Sequence, residues 1–179
     1  MNKREINPFD YANDIAKQLS KGILLTTKGD KVNSMTIGWG SIGVNWSKPV
    51  FTAYVRTGRY TRSQLDINPE FTINVPVGDY DKHILGVCGG QSGRDIDKVE
   101  VAGLTLVEPS EISVPGIKEF PLTLECRVLM TQEQDYQCLP EEMRDTLYPQ
   151  GVTSEAVGAN EDPHITYYGE IVAAYIIED

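Results

Sequence analysis

No apolar run in this sequence approaches the roughly 18 residues that a membrane-spanning helix needs. The opening Met1-Asn2-Lys3-Arg4-Glu5 leads into polar sequence, not into the apolar stretch of a secretory signal. The expectation is a cytoplasmic chain with no membrane partner. Basic residues are scarce as well: 16 Lys and Arg stand against 26 Asp and Glu, a formal charge of -10. Such a balance repels phosphate backbones and anionic bilayers, so nucleic acid is excluded as a partner. Three cysteines, Cys88, Cys126 and Cys138, are too few and too far apart for a disulfide framework or a C-x-x-C site. With only His83 and His164 beside them, no metal-ligand spacing can be assembled.

What is present fits one substantial core: 179 residues, 40% apolar, read as a single domain over 1–179. Asn7 and Pro8 give a helix start, and Ala12, Ile15, Ala16 and Leu19 then share a face until Gly22, so residues of about 7–21 read as a covering helix. Beyond it β-favouring segments dominate: Ile23 to Thr27, Val32 to Trp39, Val50 to Arg56 and Phe71 to Val75, then Leu122 to Thr131 and His164 to Ile177. Phe71, Ile73 and Val75 alternate with polar residues, which predicts one buried face. Asp81 to Cys88 and Pro140 to Tyr148 read as short inserted helices. Strands that outnumber helices without alternating with them predict a mainly β, antiparallel barrel with a few peripheral α-helices.

Three stretches can carry chemistry. Gly38-Trp39-Gly40-Ser41-Ile42-Gly43 matches the dinucleotide fingerprint G-x-G-x-x-G. That fingerprint requires a helix to begin in the loop, whereas Val44-Asn45-Trp46-Ser47-Lys48-Pro49 reaches a proline and then a new strand. A glycine-bearing strand and turn, where backbone approaches another strand or a flat ligand, is the preferred reading. Arg56-Thr57-Gly58-Arg59-Tyr60-Thr61-Arg62-Ser63 concentrates three arginines in a strongly acidic chain. Thr61 and Gln64 have capping-box spacing, so a helix starting there would set free N–H groups beside the arginines, a combination suited to one phosphate. Solvated arginines on an ordinary capped helix are the plainer alternative. Cys88-Gly89-Gly90-Gln91-Ser92-Gly93-Arg94-Asp95 is a flexible small-residue loop that is able to lie on a planar cofactor or to close across a subunit boundary. Nothing near Cys88 argues for an activated thiol. His164, after Asp162-Pro163, opens the last strand, as a turn-edge histidine or a proton donor.

The order of these segments resembles the flavin reductase-like family of FMN-binding split barrels, which includes NAD(P)H:flavin oxidoreductases and flavoredoxins. The likeness rests on Asn33-Ser34-Met35-Thr36-Ile37-Gly38-Trp39, Lys48-Pro49 with the strand to Arg56, and Arg59-Tyr60-Thr61. It continues through Phe71-Thr72-Ile73-Asn74-Val75-Pro76, Ser92-Gly93-Arg94-Asp95-Ile96-Asp97-Lys98 and Gly169-Glu170-Ile171-Val172, so it covers roughly residues 23 to 177. The resemblance implies an antiparallel, Greek-key-like split β-barrel, a homodimer, and a noncovalent FMN. It places Met35, Thr36, Trp39 and Ser41 along the isoalloxazine and ribityl chain, and Arg56, Arg59, Tyr60 and Thr61 at the phosphate. Cys88, Ser92 and Gly93 resemble a loop that approaches the ring, and His164 a position near the flavin edge. It names no dedicated catalytic residue, because the protein chiefly positions the cofactor. NADH or NADPH would be the co-substrate of a reductase. An electron carrier docking on a redox partner protein, and a flavin-storing barrel without redox function, are the competing readings.

Overall fold

A computed structural model describes residues 1–178. In chain order the elements are β1 (Asn2–Glu5), a 3-10 turn (Pro8–Tyr11), α1 (Ala12–Leu19), β2 (Ile23–Lys28), β3 (Val32–Ile37), β4 (Gly40–Asn45), β5 (Lys48–Arg56), α2 (Tyr60–Ile67) and β6 (Glu70–Val75). There follow α3 (Lys82–Gly90), α4 (Lys98–Val101), β7 (Leu106–Val107), β8 (Gly116–Ile117), β9 (Leu122–Glu133), a 3-10 turn (Tyr136–Cys138), α5 (Glu141–Leu147) and β10 (His164–Glu178).

One antiparallel sheet runs in the order β3-β2-β6-β9-β10-β5-β4, with β1 added to the far end of β10. Its two outer strands are consecutive in sequence, since only Gly38 and Trp39 separate β3 from β4. Six strand spacings of about 4.8 Å would put the edges of a flat sheet nearly 30 Å apart, whereas two residues bridge only about 10 Å. The sheet therefore curls round on itself into a split barrel, open along the β3/β4 seam where no ladder closes it. The mainly β, antiparallel architecture expected from the sequence is the one observed.

The barrel interior is filled by Leu25, Phe51, Phe71, Ile73, Leu122 and Leu124, all buried, and α1 closes one end by inserting Ile15 and Leu19. Asn7 starts this helical segment as expected, accepting from Phe9 N at 3.1 Å, with Pro8 at the first position. The glycine motif at Gly38–Gly43 enters no helix. Gly40 to Asn45 form β4 and turn back through Trp46 and Ser47, both at positive φ, into β5. Gly40 is needed for close approach, because a Cβ there would lie 2.9 Å from Phe51 Cζ and 3.0 Å from Thr52 O. The reading as a strand beside another strand is the one the structure bears out, and the dinucleotide fold is absent.

Two sequence expectations need correction. β6 is buried on both faces, not one: Thr72 and Asn74 are as inaccessible as Phe71 and Ile73. The segment around β8 covers them, with Thr72 Oγ1 donating to Pro115 O at 2.9 Å and Ile117 N donating to Asn74 Oδ1 at 3.0 Å. The second correction concerns the capping box at Thr61 and Gln64. α2 begins at Tyr60, so Thr61 already lies inside the first turn, and Gln64 instead accepts from Gly29 N at 3.0 Å and donates to Asp30. Gln64 thus ties the helix to the β2/β3 turn, while Thr61 ties it to Asn33 and Met35 of β3.

Candidate functional site

The seam between β3 and the start of α2 opens into a cavity of about 830 Å³, inside the range of small-molecule and cofactor sites. Its floor comes from Asn33, Met35 and Thr36 of β3, one wall from Gly58 to Thr61, and the opposite wall from Cys88 to Asp95. Residues Ser154 to Gly158 of the segment before β10 close over it. A second cavity of about 270 Å³ adjoins it, sharing Met35, Thr36, Arg59 and Gly158, and adds Trp39, Tyr54, Arg56, Leu147 and His164.

Of the twelve residues singled out from the sequence, eleven line these two adjoining spaces. Met35, Thr36, Arg59, Tyr60, Thr61, Cys88, Ser92 and Gly93 face the larger, and Trp39, Arg56 and His164 the smaller. Ser41 lines neither: it is exposed on β4, paired with Thr52. Arg56 differs from Arg59 in what it holds. Its guanidinium is buried and donates to the carbonyls of Leu147, Asn160 and Asp162 at 2.8, 3.1 and 2.8 Å, pinning the ends of the segment before β10. Arg59 is half-buried and donates to Ala156 O at 3.1 Å and Gly158 O at 3.3 Å, so it tethers the same segment where it crosses the cavity.

Two residues that the sequence reading left unassigned complete the larger cavity. Lys98 is only 5% exposed, and its Nζ donates to Cys88 O at 2.8 Å. Burial, with Arg59 nearby, lowers the pKa of this ammonium. A buried cation held by one neutral carbonyl is favourable ground for an anion. Asn33 is buried too. Its Nδ2 donates to Thr61 Oγ1 at 3.1 Å, while its Oδ1 has no donor. Gly93 sits against that oxygen, since a Cβ there would overlap Asn33 Oδ1 and come within 2.7 Å of Tyr60 Cδ1. In sequence neither was distinguishable from an ordinary strand asparagine or a helix-start lysine.

Of the three arginines of the sequence cluster only Arg59 lines the larger cavity, since Arg56 lines the smaller one and Arg62 pairs with Asp66 at 3.1 Å outside both. Arg59, Arg94 and Lys98 line this cavity together with Asp95 and Glu155, in a molecule of net charge -10. Arg94 donates to Gly58 O at 3.0 Å and lies over the Tyr60 ring, whose hydroxyl donates to Asp30 at 2.8 Å. Burial drives the Cys88 thiol up to about 11, only partly offset by Lys98, so it remains protonated near neutrality and is no nucleophile. Among the described residues no group of three His, Cys, Asp or Glu could hold a metal ion, and no helix is long and apolar enough to cross a membrane.

On the open side of a split barrel the two adjoining spaces thus bring together a group of cations, a buried acceptor without a donor, and an aromatic annex. A flavin reductase like domain matches residues 17–179. The chain belongs to that family.

The likeness extends to solved structures. A flavoredoxin from Methanosarcina acetivorans is 28% identical with a TM-score of 0.63, over 88% of this chain and 68% of that one. An NADH:FAD oxidoreductase from Streptomyces globisporus shares the fold, with 16% identity, a TM-score of 0.62 and coverage of 87% of this chain and 75% of the other. An uncharacterized protein of Archaeoglobus fulgidus is 34% identical over 110 residues, which span 62% of this chain and 61% of that relative's length.

Proposed function

We propose that this chain binds FMN noncovalently and acts as a flavin reductase-like oxidoreductase, taking electrons from NADH or NADPH and passing them to free flavin or another acceptor. The observation that carries the reading is the buried Asn33 Oδ1, an acceptor without a donor, in one cavity with Lys98 and Arg59. An unpaired buried acceptor costs about 1–3 kcal/mol, and a ribityl hydroxyl is a donor that would relieve it. Lys98, Arg59 and Thr61 would hold the phosphate by charge-assisted hydrogen bonds. Met35, Thr36 and the Cys88–Gly93 loop would flank the ring system, and the segment Ser154–Gly158 would exclude water. When bound, FMN supplies the hydride-accepting and electron-releasing chemistry.

Family membership and the NADH:FAD oxidoreductase among its structural neighbours support the reductase. The likeness to a flavoredoxin favours a second reading, an FMN electron carrier that docks on a redox partner protein without oxidising nicotinamide. A surface of net charge -10 suits a basic partner. Stopped-flow mixing of the FMN-loaded protein with NADH and with NADPH separates the two. Rapid bleaching of the flavin is expected of the reductase, and an unreactive flavin would replace it by the carrier.

A homodimer is part of the same proposal. Val44 and Trp46 are exposed on the β4/β5 hairpin, Trp46 packs its ring edge on Tyr168 at 5.6 Å, and exposed Met130 pairs with Tyr168 across the sheet. Such an apolar strip suits a second copy of the chain. Sedimentation of a flavin-loaded monomer at micromolar concentration would contradict it.

A further inference from the structure

The strap that crosses the larger cavity is held at two levels. Its base is fixed from within and from below: Glu161 N donates to Val152 O at 2.9 Å, Ser154 Oγ donates to Asp162 Oδ1 at 2.7 Å, and Arg56 grips both ends. The base also packs on the chain just before Arg59, since a Cβ on Gly58 would overlap Asp162 Oδ2 and come within 2.7 Å of Ser154 Cβ. The tip, Glu155 to Gly158, is tied to the barrel by one side chain. Arg59 Nη2 donates to Ala156 O at 3.1 Å and to Gly158 O at 3.3 Å, and among the described residues no other hydrogen bond joins the tip to the barrel.

Little else favours a closed tip. Val157 is 67% exposed and contributes almost no apolar burial, and closure of the base leaves Asn160 Nδ2 and Asp162 Oδ2 buried without partners. The two bonds from Arg59 also require a long side chain to be frozen in one rotamer, which opposes them. Yet Arg59 uses only one of its three nitrogens on the strap. Its Nη1 and Nε have no partner among the described residues, and the residue lines the larger cavity with Lys98. A guanidinium carries five N–H donors in a rigid planar fork, so one side of it can serve carbonyls while another grips an anion.

We propose that Arg59 couples occupancy of the larger cavity to closure of the strap: a phosphate group held by Nη1 and Nε immobilises the guanidinium, and Nη2 then keeps Ala156 and Gly158 closed over the ligand. The rotamer freedom of Arg59 is lost once and serves both contacts, so each favours the other without any change of shape in the barrel. Such coupling is reciprocal. The factor by which the phosphate closes the strap is the factor by which the strap tightens the phosphate ligand. That the phosphate belongs to FMN rests on the function proposed above; the coupling does not.

The test follows cleavage of the full-length protein by a glutamate-specific protease after Glu155, which is exposed in the tip, with the fragments quantified by mass spectrometry at protease levels where cleavage tracks the open population. Saturating FMN should slow this cleavage about fivefold to tenfold, and so should saturating inorganic phosphate on FMN-free protein, compared with chloride of equal ionic strength. Riboflavin, which fills the cavity without a phosphate, should slow it less than about twofold. Arg59→Lys keeps the charge and loses the fork, so saturating FMN should no longer protect the tip. A variant lacking Glu155–Gly158 should bind FMN about fivefold to tenfold more weakly and riboflavin as the wild type does. Cleavage indifferent to both FMN and phosphate, protection by riboflavin equal to that by FMN, or protection that survives Arg59→Lys would overturn the proposal. Failure to bind FMN would instead defeat the flavin reading, and the inorganic phosphate arm would still decide the coupling. The wild-type cleavage rates decide it even if the shortened variant does not fold.

Discussion

Asn33 gives its amide to Thr61 Oγ1 at 3.1 Å and keeps its own oxygen buried without a donor, so β3 and α2 meet at a point that is half satisfied. Thr61 passes its own proton on to Met35 Sδ at 3.4 Å, which leaves the Asn33 oxygen as the one open position in this short chain. The larger cavity is built around that point.

If a ribityl hydroxyl fills it, Asn33→Ala should weaken FMN binding about fivefold to tenfold, as expected for loss of one buried hydrogen bond. Fluorescence quenching of added FMN measures this. Unaltered affinity would show that the oxygen plays no part in the site.

Arg59→Ala and Thr61→Ala should each weaken FMN by at least about tenfold, since charge-assisted bonds to phosphate are worth roughly 1.5–3 kcal/mol. Riboflavin, which lacks the phosphate, should bind wild type and Arg59→Ala almost equally. Equal losses for both flavins would mean that Arg59 acts only by tethering Ala156 and Gly158 over the cavity.

Arg56→Ala should behave differently, as a stability mutant. It deprives the carbonyls of Leu147, Asn160 and Asp162 of a buried charged donor, at a cost of about 3 kcal/mol in urea denaturation. A variant as stable as wild type would show that the segment before β10 is held by other contacts.

His164 makes a signed prediction about acid. Its folded pKa lies at about 3 against an ordinary 6.5, so between these values the unfolded chain binds a proton that the native chain does not. The corresponding stability is complete above pH 6.5 and is lost as pH falls toward 3, by up to about 1.4 kcal/mol per unit. His164→Gln should flatten the pH dependence of unfolding free energy between pH 6.5 and about 5. Parallel curves for the two proteins would contradict burial of a neutral imidazole.

Much of this architecture was legible in the sequence because β-branched and aromatic runs from Ile23 to Val75 are bounded by clear turn residues. The Gly38–Gly43 motif could be read as strand because Pro49 left no room for a helix. β1 was not legible: Asn2-Lys3-Arg4-Glu5 buries little and is a strand only because it pairs with Tyr175 to Glu178. The second buried face of β6 was hidden for a related reason, since Thr72 and Asn74 look solvent-facing until the β8 segment hydrogen-bonds to them. In the site, the arginine cluster stood out against an acidic chain and the cavity lies beside it. Asn33 and Lys98 did not stand out, because what distinguishes them is burial and a missing or single partner, and those come only with tertiary contacts. The capping box failed on the same ground: Gln64 found Gly29 and Asp30, partners distant in sequence, in place of the local backbone.

The most direct test is titration of purified full-length protein with FMN, followed by the flavin absorption spectrum and fluorescence. The account predicts a yellow, stoichiometric complex with micromolar or tighter affinity, weakened in Asn33→Ala and Arg59→Ala. Colourless protein that neither retains nor takes up FMN at micromolar concentration would contradict it.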